Sequence, residues 1–289
     1  MQRRARTASG RSETAAWESV TAQPAPALAR VVTSYAEFRE NSTTPVDRAE
    51  VANSGAVLIV EFDDPLLVSD VAEHDRPRLW QSFAAGIGQA PTATLHAGSQ
   101  HCVEVRLTPL AVFSMTGMSM HELSDRVVGL EDLFGRTGRD LPEHLAAETD
   151  WDGRFGVLDG VFARLADAGS APDPEVGYAW NTLRRTEGRA VIGDLLVETG
   201  WSRARLASRF REQVGVTPKA MARLLRFERA VRLMTEPGHR SLASIALSCA
   251  YYDQAHFNRD FRSFAGCSPT EWIAARYTDL PGNRVPSTE

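Results

Sequence analysis

Two short stretches concentrate side chains able to read a polar edge. Arg203, Ala204, Arg205, Ser208 and Arg209 make up one; Gln254, Ala255, His256, Asn258, Arg259 and Arg262 make up the other. Guanidinium and carboxamide groups form paired hydrogen bonds with guanine and adenine edges, and small residues allow close approach or contact with a thymine methyl. Arginine also neutralises phosphate. Covalent and metal chemistry find no comparable set. There is no P-loop, GxSxG, HExxH or dinucleotide fingerprint. His96, His101 and Cys102, with Asp63 and Asp64, lack HxH or HxxxxE spacing. His101 and Cys102 would also point to opposite faces of one strand, whereas Glu104 and Arg106 share a face as an ion pair. Cys102, Cys249 and Cys267 are too few and scattered for a disulfide scaffold. Cys249 and Cys267 read as small buried hydrophobes. Neither a metal nor another cofactor is expected.

Helices must hold the two stretches, and the charge balance says where they sit. Of 289 residues, 43% are hydrophobic and 24% charged, which is globular composition with length for two domains. This excludes collagenous, coiled-coil and wholly disordered chains. The net charge of −5 is split unevenly. Residues 1–174 hold 15 Arg and no Lys against 25 acids; residues 175–289 hold 16 Arg and one Lys against 12 acids. A basic C-terminal part behind an acidic N-terminal part points to one domain meeting a polyanion. No apolar run approaches the roughly 20 residues of a membrane span, and the basic start MQRRARTASGRSE lacks a signal-peptide core. A reducing cytoplasmic setting, with no membrane partner, is expected.

Residues 1–14 read as a disordered tail, without apolar periodicity. Residues 15–167 read as a small β-rich domain with a helical tail. Its strand-like runs are 31–35, 55–62 and 101–107; Thr108 and Pro109 then cap and open a helix, and further helices follow near 119–125, 140–147 and 151–168. Residues 168–174, rich in Gly, Ser and Pro, form a linker, and 278–289 a flexible tail. Between them, 175–277 read as continuous helices carrying an internal repeat. Gly215-Val216-Thr217-Pro218 returns as Gly266-Cys267-Ser268-Pro269 at an offset of 51, which also matches Leu206 to Phe257 and Phe210 to Phe261. At an offset of 50, Gly200 matches Ala250 and Leu195 matches Ile245.

Each repeat reads as a short helix, a turn, a second helix, then a capped third: about 191–198, 202–213 and 217–235, and about 241–248, 253–264 and 268–276. Ser202 and Asp253 cap the second helices, while Thr217 with Pro218 and Ser268 with Pro269 start the third ones. Gly200 and Ala250 hold the turns. A helix, a tight turn and a second helix form a helix-turn-helix, whose second helix enters the major groove. The connector over 217–235 spans about 28 Å at 1.5 Å per residue, against about 34 Å between successive major grooves.

The run from Ala250-Tyr251-Tyr252-Asp253 through Phe257-Asn258-Arg259-Asp260-Phe261 to Gly266-Cys267-Ser268-Pro269 resembles the AraC/XylS family of bacterial transcription regulators. The likeness covers about 175–277. It implies sequence-specific binding of double-stranded DNA with both recognition helices in the major groove. Two positions depart from the family pattern: Ala250 stands where glycine is usual, and Ser208 where arginine is frequent. More weakly, Val103-Glu104-Val105-Arg106-Leu107-Thr108-Pro109-Leu110 and the 123–133 segment resemble the cupin-like sensor domain of such regulators. That implies a small-molecule effector, a homodimer, or both, with RNA polymerase as a further partner and the bacterial nucleoid as the place of action.

The expected fold is thus α+β: a β-rich, cupin-like sensor domain followed by an all-α domain of two helix-turn-helix units joined by a long helix. The expected function is transcription regulation, and the protein is not expected to be an enzyme. An N-terminal enzyme targeted by a DNA-binding module is the alternative, and a purely architectural module is a third. The missing nucleophile or ligand set speaks against the second, and base-reading side chains on both helices against the third.

Overall fold

The computed structural model describes residues 3–69, 77–236, 240–275 and the backbone of 284–285. Along the chain come β1 (Ala5–Arg11), β2 (Ala15–Ala22), a 3-10 turn (Pro26–Leu28), β3 (Val32–Ser42), β4 (Val46–Glu50), β5 (Ala56–Glu61) and β6 (Leu66–Val68). Then follow β7 (Arg78–Trp80), β8 (Ser82–Ala85), β9 (Thr92–His96) and β10 (Ser99–Leu107). Helices α1 (Pro109–Thr116) and α2 (Met120–Leu123), strand β11 (Val127–Gly129), and helices α3 (Leu130–Phe134), α4 (Arg136–Ala146) and α5 (Trp151–Ala168) complete the first half. The second half holds α6 (Pro174–Arg185), α7 (Ile192–Thr199), α8 (Arg203–Val214), α9 (Pro218–Thr235), α10 (Leu242–Ser248), α11 (Gln254–Ala265) and α12 (Pro269–Ala275), with Arg284–Val285 as a last short strand, β12.

The strands form two sheets, ordered β1-β2-β3-β10-β5-β8-β11 and β12-β4-β9-β6-β7. Every strand pair is antiparallel. Alternation along the central strands builds two separate cores. Leu58 and Val60 of β5 join Val103, Val105 and Leu107 of β10 under the helices α1 to α5. Ile59 and Cys102 face the other way, with Phe38, Leu66, Val68 and Phe83 between the sheets. Glu37 on β3 fastens α5 to its sheet. Arg154 donates two 2.8 Å hydrogen bonds to it, and His101 lies at 2.9 Å. Burial pushes that carboxyl up, but the bonds from His101 and Arg154 outweigh burial and hold it at about 2.

The N-terminal tail corrects the sequence reading. Ala5–Arg11 is an outer strand paired with β2 from Ala5↔Ala22 to Arg11↔Ala16. Its side chains are mostly exposed, so the apolar alternation that marks a strand is missing; backbone pairing and an ion pair from Arg3 to Asp159 at 2.7 Å hold it instead. The expected linker is pinned at both ends. Ser170 N–H donates to Ser114 O of α1 at 3.0 Å, and Asp173 N–H donates to Gln213 Oε1 of α8 at 2.9 Å. The expected C-terminal tail, 278–289, lies outside the described residues apart from Arg284–Val285.

Candidate nucleic-acid interface

The repeat appears as two matched three-helix units, α7-α8-α9 and α10-α11-α12. Each cap sits where the residue types place it. Ser202 Oγ accepts from Arg205 N–H at 3.3 Å, Asp253 Oδ1 from His256 N–H at 2.6 Å, and Thr217 Oγ1 from Ala220 N–H at 3.2 Å. Ser268 Oγ accepts from Glu271 N–H at 3.3 Å while Glu271 returns the bond to Ser268 N–H at 2.7 Å, a capping box. The turns match as well: Gly200 has φ 67° and Ala250 φ 57°, both left-handed. Leu206 and Phe210 of α8 and Phe257, Phe261 and Phe264 of α11 are buried in one core that also holds α9. The connector has 18 residues, about 27 Å long.

With the apolar faces committed inward, the outward faces follow. On α8, Arg203, Ala204, Arg205 and Ser208 are exposed, and the Arg205 guanidinium lies over the Trp201 ring at 4.4 Å. On α11, Gln254, Ala255, Arg259 and Arg262 are exposed. The remaining candidates are held differently. Arg209 is half-buried between Asp173 at 2.8 Å and Glu212 at 2.5 Å, so its charge is already matched. Asn258 is half-buried, and His256 packs edge-on against Tyr251 at 5.2 Å.

Three features escaped the sequence reading. Tyr252, 92% exposed, projects immediately before the Asp253 cap. Its counterpart at offset 51 is Trp201, so both units carry an aromatic there, which was the available signal. Asp260, the lone acid of α11, accepts from Arg223 of the connector at 2.8 Å and fixes α11 to α9. Arg211, also exposed on α8, meets His121 of α2 at 2.8 Å.

The N-terminal half touches this module directly. Val51, Ala52 and Ile87 lie in the core of the helical half. Ala52 N–H donates to Phe264 O at 2.9 Å, and Ser54 donates to Glu228 of α9 through N–H at 2.6 Å and Oγ at 2.8 Å. The residues weighed for metal chemistry are used otherwise. His96 sits beside Glu40 at 3.3 Å, His101 meets Glu37 at 2.9 Å, and Glu104 pairs Arg106, two residues on along the same strand, at 2.6 Å. Among the described residues, no group of three or more His, Cys, Asp or Glu is placed to hold a metal ion, and no helix is long and apolar enough to cross a membrane. Burial pushes the thiols of Cys249 and Cys267 up, away from thiolate reactivity.

Two capped helix-turn-helix units, joined by a rigid helix and showing arginine and glutamine outward, define a DNA-binding module. Residues 195–275 match the family described as a helix-turn-helix domain. A protein of Streptomyces lividans described as an AraC-like transcription regulator is 34% identical over 117 residues. The match takes in 40% of this chain but only 36% of that relative. Among solved structures, an apo single-residue variant of ToxT from Vibrio cholerae aligns at a TM-score of 0.49 and 14% identity, over 83% of this chain and 97% of that one. ToxT from the same species with a bound unsaturated fatty acid aligns at 0.45 and 12% identity, over 81% and 96%. Residues 195–275 of the chain are thus a helix-turn-helix domain, and the part of the chain that matches the Streptomyces protein is similar to an AraC-like regulator.

Proposed function

We propose that the protein is a sequence-specific DNA-binding transcription regulator, with α8 and α11 reading adjacent major grooves and the β-rich half governing them in response to a small effector. The observation that carries this reading is the duplicated, capped helix-turn-helix with Arg203, Arg205, Gln254 and Arg259 exposed. The connector of about 27 Å suits grooves about 34 Å apart, because the recognition helices add their own width at either end. RNA polymerase and a second copy of the chain are the further partners such a regulator engages, in the nucleoid of a bacterial cytoplasm. In this role the protein binds and positions, and performs no catalysis.

The direct test is selection of bound fragments from random duplexes by the full chain. The expected product is a site with two short conserved blocks about one helical turn apart, bound with an affinity that falls steeply as salt rises. Recovery of random sequence at every salt concentration would reduce the module to a nonspecific phosphate binder.

A further inference from the structure

A cavity of about 110 Å³ lies between the two sheets. It is somewhat smaller than the roughly 150 Å³ of an engineered cavity that holds benzene. Its walls divide along the strand order. Val57 and Ile59 of β5, Phe83 of β8, and Leu66 and Val68 of β6 make an apolar side. Arg48 and Glu50 of β4, Thr92 and Thr94 of β9, and Gln100 of β10 make a polar side.

The charges on this lining cancel. Arg48, Arg106 and Arg126 stand against Glu50, Glu104 and Asp125. Behind Arg48, Glu40 takes both of its carboxylate oxygens to the guanidinium at 2.6 Å, with the two side chains 3% and 2% exposed. Arg106 is matched by Glu104 at 2.6 Å. A carboxylate entering the cavity gives up its water and meets no net positive field, since the three arginines stand against three acids and Arg48 is already held by Glu40. An ammonium group competes with the guanidinium groups that hold Glu40 and Glu104 and with Gln89, whose N–H groups donate to Asp125. Either ion bears a desolvation cost that a hydroxyl or amide largely avoids.

The same wall reaches the DNA-binding module. Val51 and Asn53 line the cavity, and Ala52 between them donates its N–H to Phe264 O in the last turn of α11. Ala90 lines it too, and the adjoining Pro91 stands 3.2 Å from where a Cβ would sit on Gly266, the residue that ends α11. An occupant that shifts this rim shifts the C-terminal end of the second recognition helix.

We propose that the cavity between the sheets binds a small uncharged amphiphile, a single ring or short branched chain bearing a hydroxyl or carboxamide, and that its rim passes occupancy to α11. This rests on the reading of the β-rich half as an effector domain. The test uses the full chain with benzamide, benzyl alcohol, benzoate and benzylammonium as matched probes, read by thermal shift and by affinity for a selected DNA site. Benzamide or benzyl alcohol raises the melting temperature with dose and changes DNA affinity; benzoate and benzylammonium do so far less. Thr94→Val, which keeps the shape and loses the hydroxyl, weakens the benzamide response about five- to tenfold. Ala85→Leu, which fills the cavity, abolishes it; should that variant fail to fold, Thr94→Val decides alone. A wild-type response to benzoate or benzylammonium equal to that for benzamide overturns the proposal, as does no response to any probe. A protein that responds to benzamide but binds no DNA leaves the cavity standing and removes the regulator reading instead.

Discussion

The two helix-turn-helix units share a plan and differ in how they are tethered. Helix α8 of the first packs against α1 and α2 of the N-terminal half as well as against α6 and α9. Asp173 holds its Arg209 and His121 holds its Arg211. Helix α11 of the second packs on α9, α10 and α12, and its ties to the β-rich half lie at its C-terminal end, Phe264 and Gly266. The first unit is therefore clamped along its length, while the second is held by the connector and by one end. In the proposed role, this arrangement would keep one reader fixed and leave the other open to adjustment by an effector.

The largest expected effect tests that asymmetry in the core. Phe210 and Phe261 are equivalent by the repeat and are both fully buried. Either truncation to Ala should cost about 3–5 kcal/mol. The consequences should differ in place. Phe261→Ala should release amide hydrogen exchange across 242–275 while α8 stays protected; Phe210→Ala should loosen α1 and α2 as well. Equal loss of protection in both units after Phe261→Ala would show that they open together and that the second is not separately adjustable.

A smaller effect separates base reading from phosphate anchoring within the second unit. Gln254 lies in the first turn of α11, where a helix entering the groove touches bases, and Arg259 is exposed further along. Gln254→Ala or Arg259→Ala should each cost about 1–3 kcal/mol on the selected site and relax preference at one or two base pairs. Arg262→Ala should weaken binding to all duplexes alike and lower the salt slope by about one. Unchanged affinity and selected sequence in both Gln254→Ala and Arg259→Ala would leave α8 as the sole reader and turn the comparison around.

The C-terminal half was legible because its constraints are local. Cap residues, left-handed turns and phenylalanines at helical spacing recur at fixed offsets, so Ser202, Thr217, Asp253 and Ser268 all act where their types predict. The β-rich half was legible only at its centre, where β5 and β10 bury alternate residues. Strand β1 is held by backbone pairing that leaves no side-chain pattern. The short strands β6, β7 and β11 have three residues each, too few for an alternation to register. The surroundings of the outward arginines were only partly legible for a similar reason. Helical spacing puts Arg209 outward, but its partner Asp173 comes from outside the repeat, across a segment that composition marks as a linker.

The smallest effect concerns the turns themselves. Gly200 and Ala250 occupy the same left-handed position, at φ 67° and 57°. In both, the backbone is committed by the helix before it: Gly200 N–H donates to Val197 O at 3.3 Å and Ala250 N–H to Leu247 O at 3.0 Å. Glycine accepts that conformation freely, whereas a Cβ strains it by about 1 kcal/mol. The second turn thus carries a cost the first does not. Ala250→Gly also frees the unfolded chain, which offsets part of the relief. The net expectation is a stabilisation of up to about 1 kcal/mol for Ala250→Gly, and a loss of about the same size for Gly200→Ala, both read by denaturant unfolding of the full chain. Nothing lies within 4 Å of a Cβ built at Gly200, so its loss would come from backbone strain alone and not from a clash. If the strain serves to keep α11 adjustable, Ala250→Gly should also shrink the change in DNA affinity that an effector produces. A stabilised variant with an undiminished effector response would place the adjustability in the tethers of α11 and not in its turn.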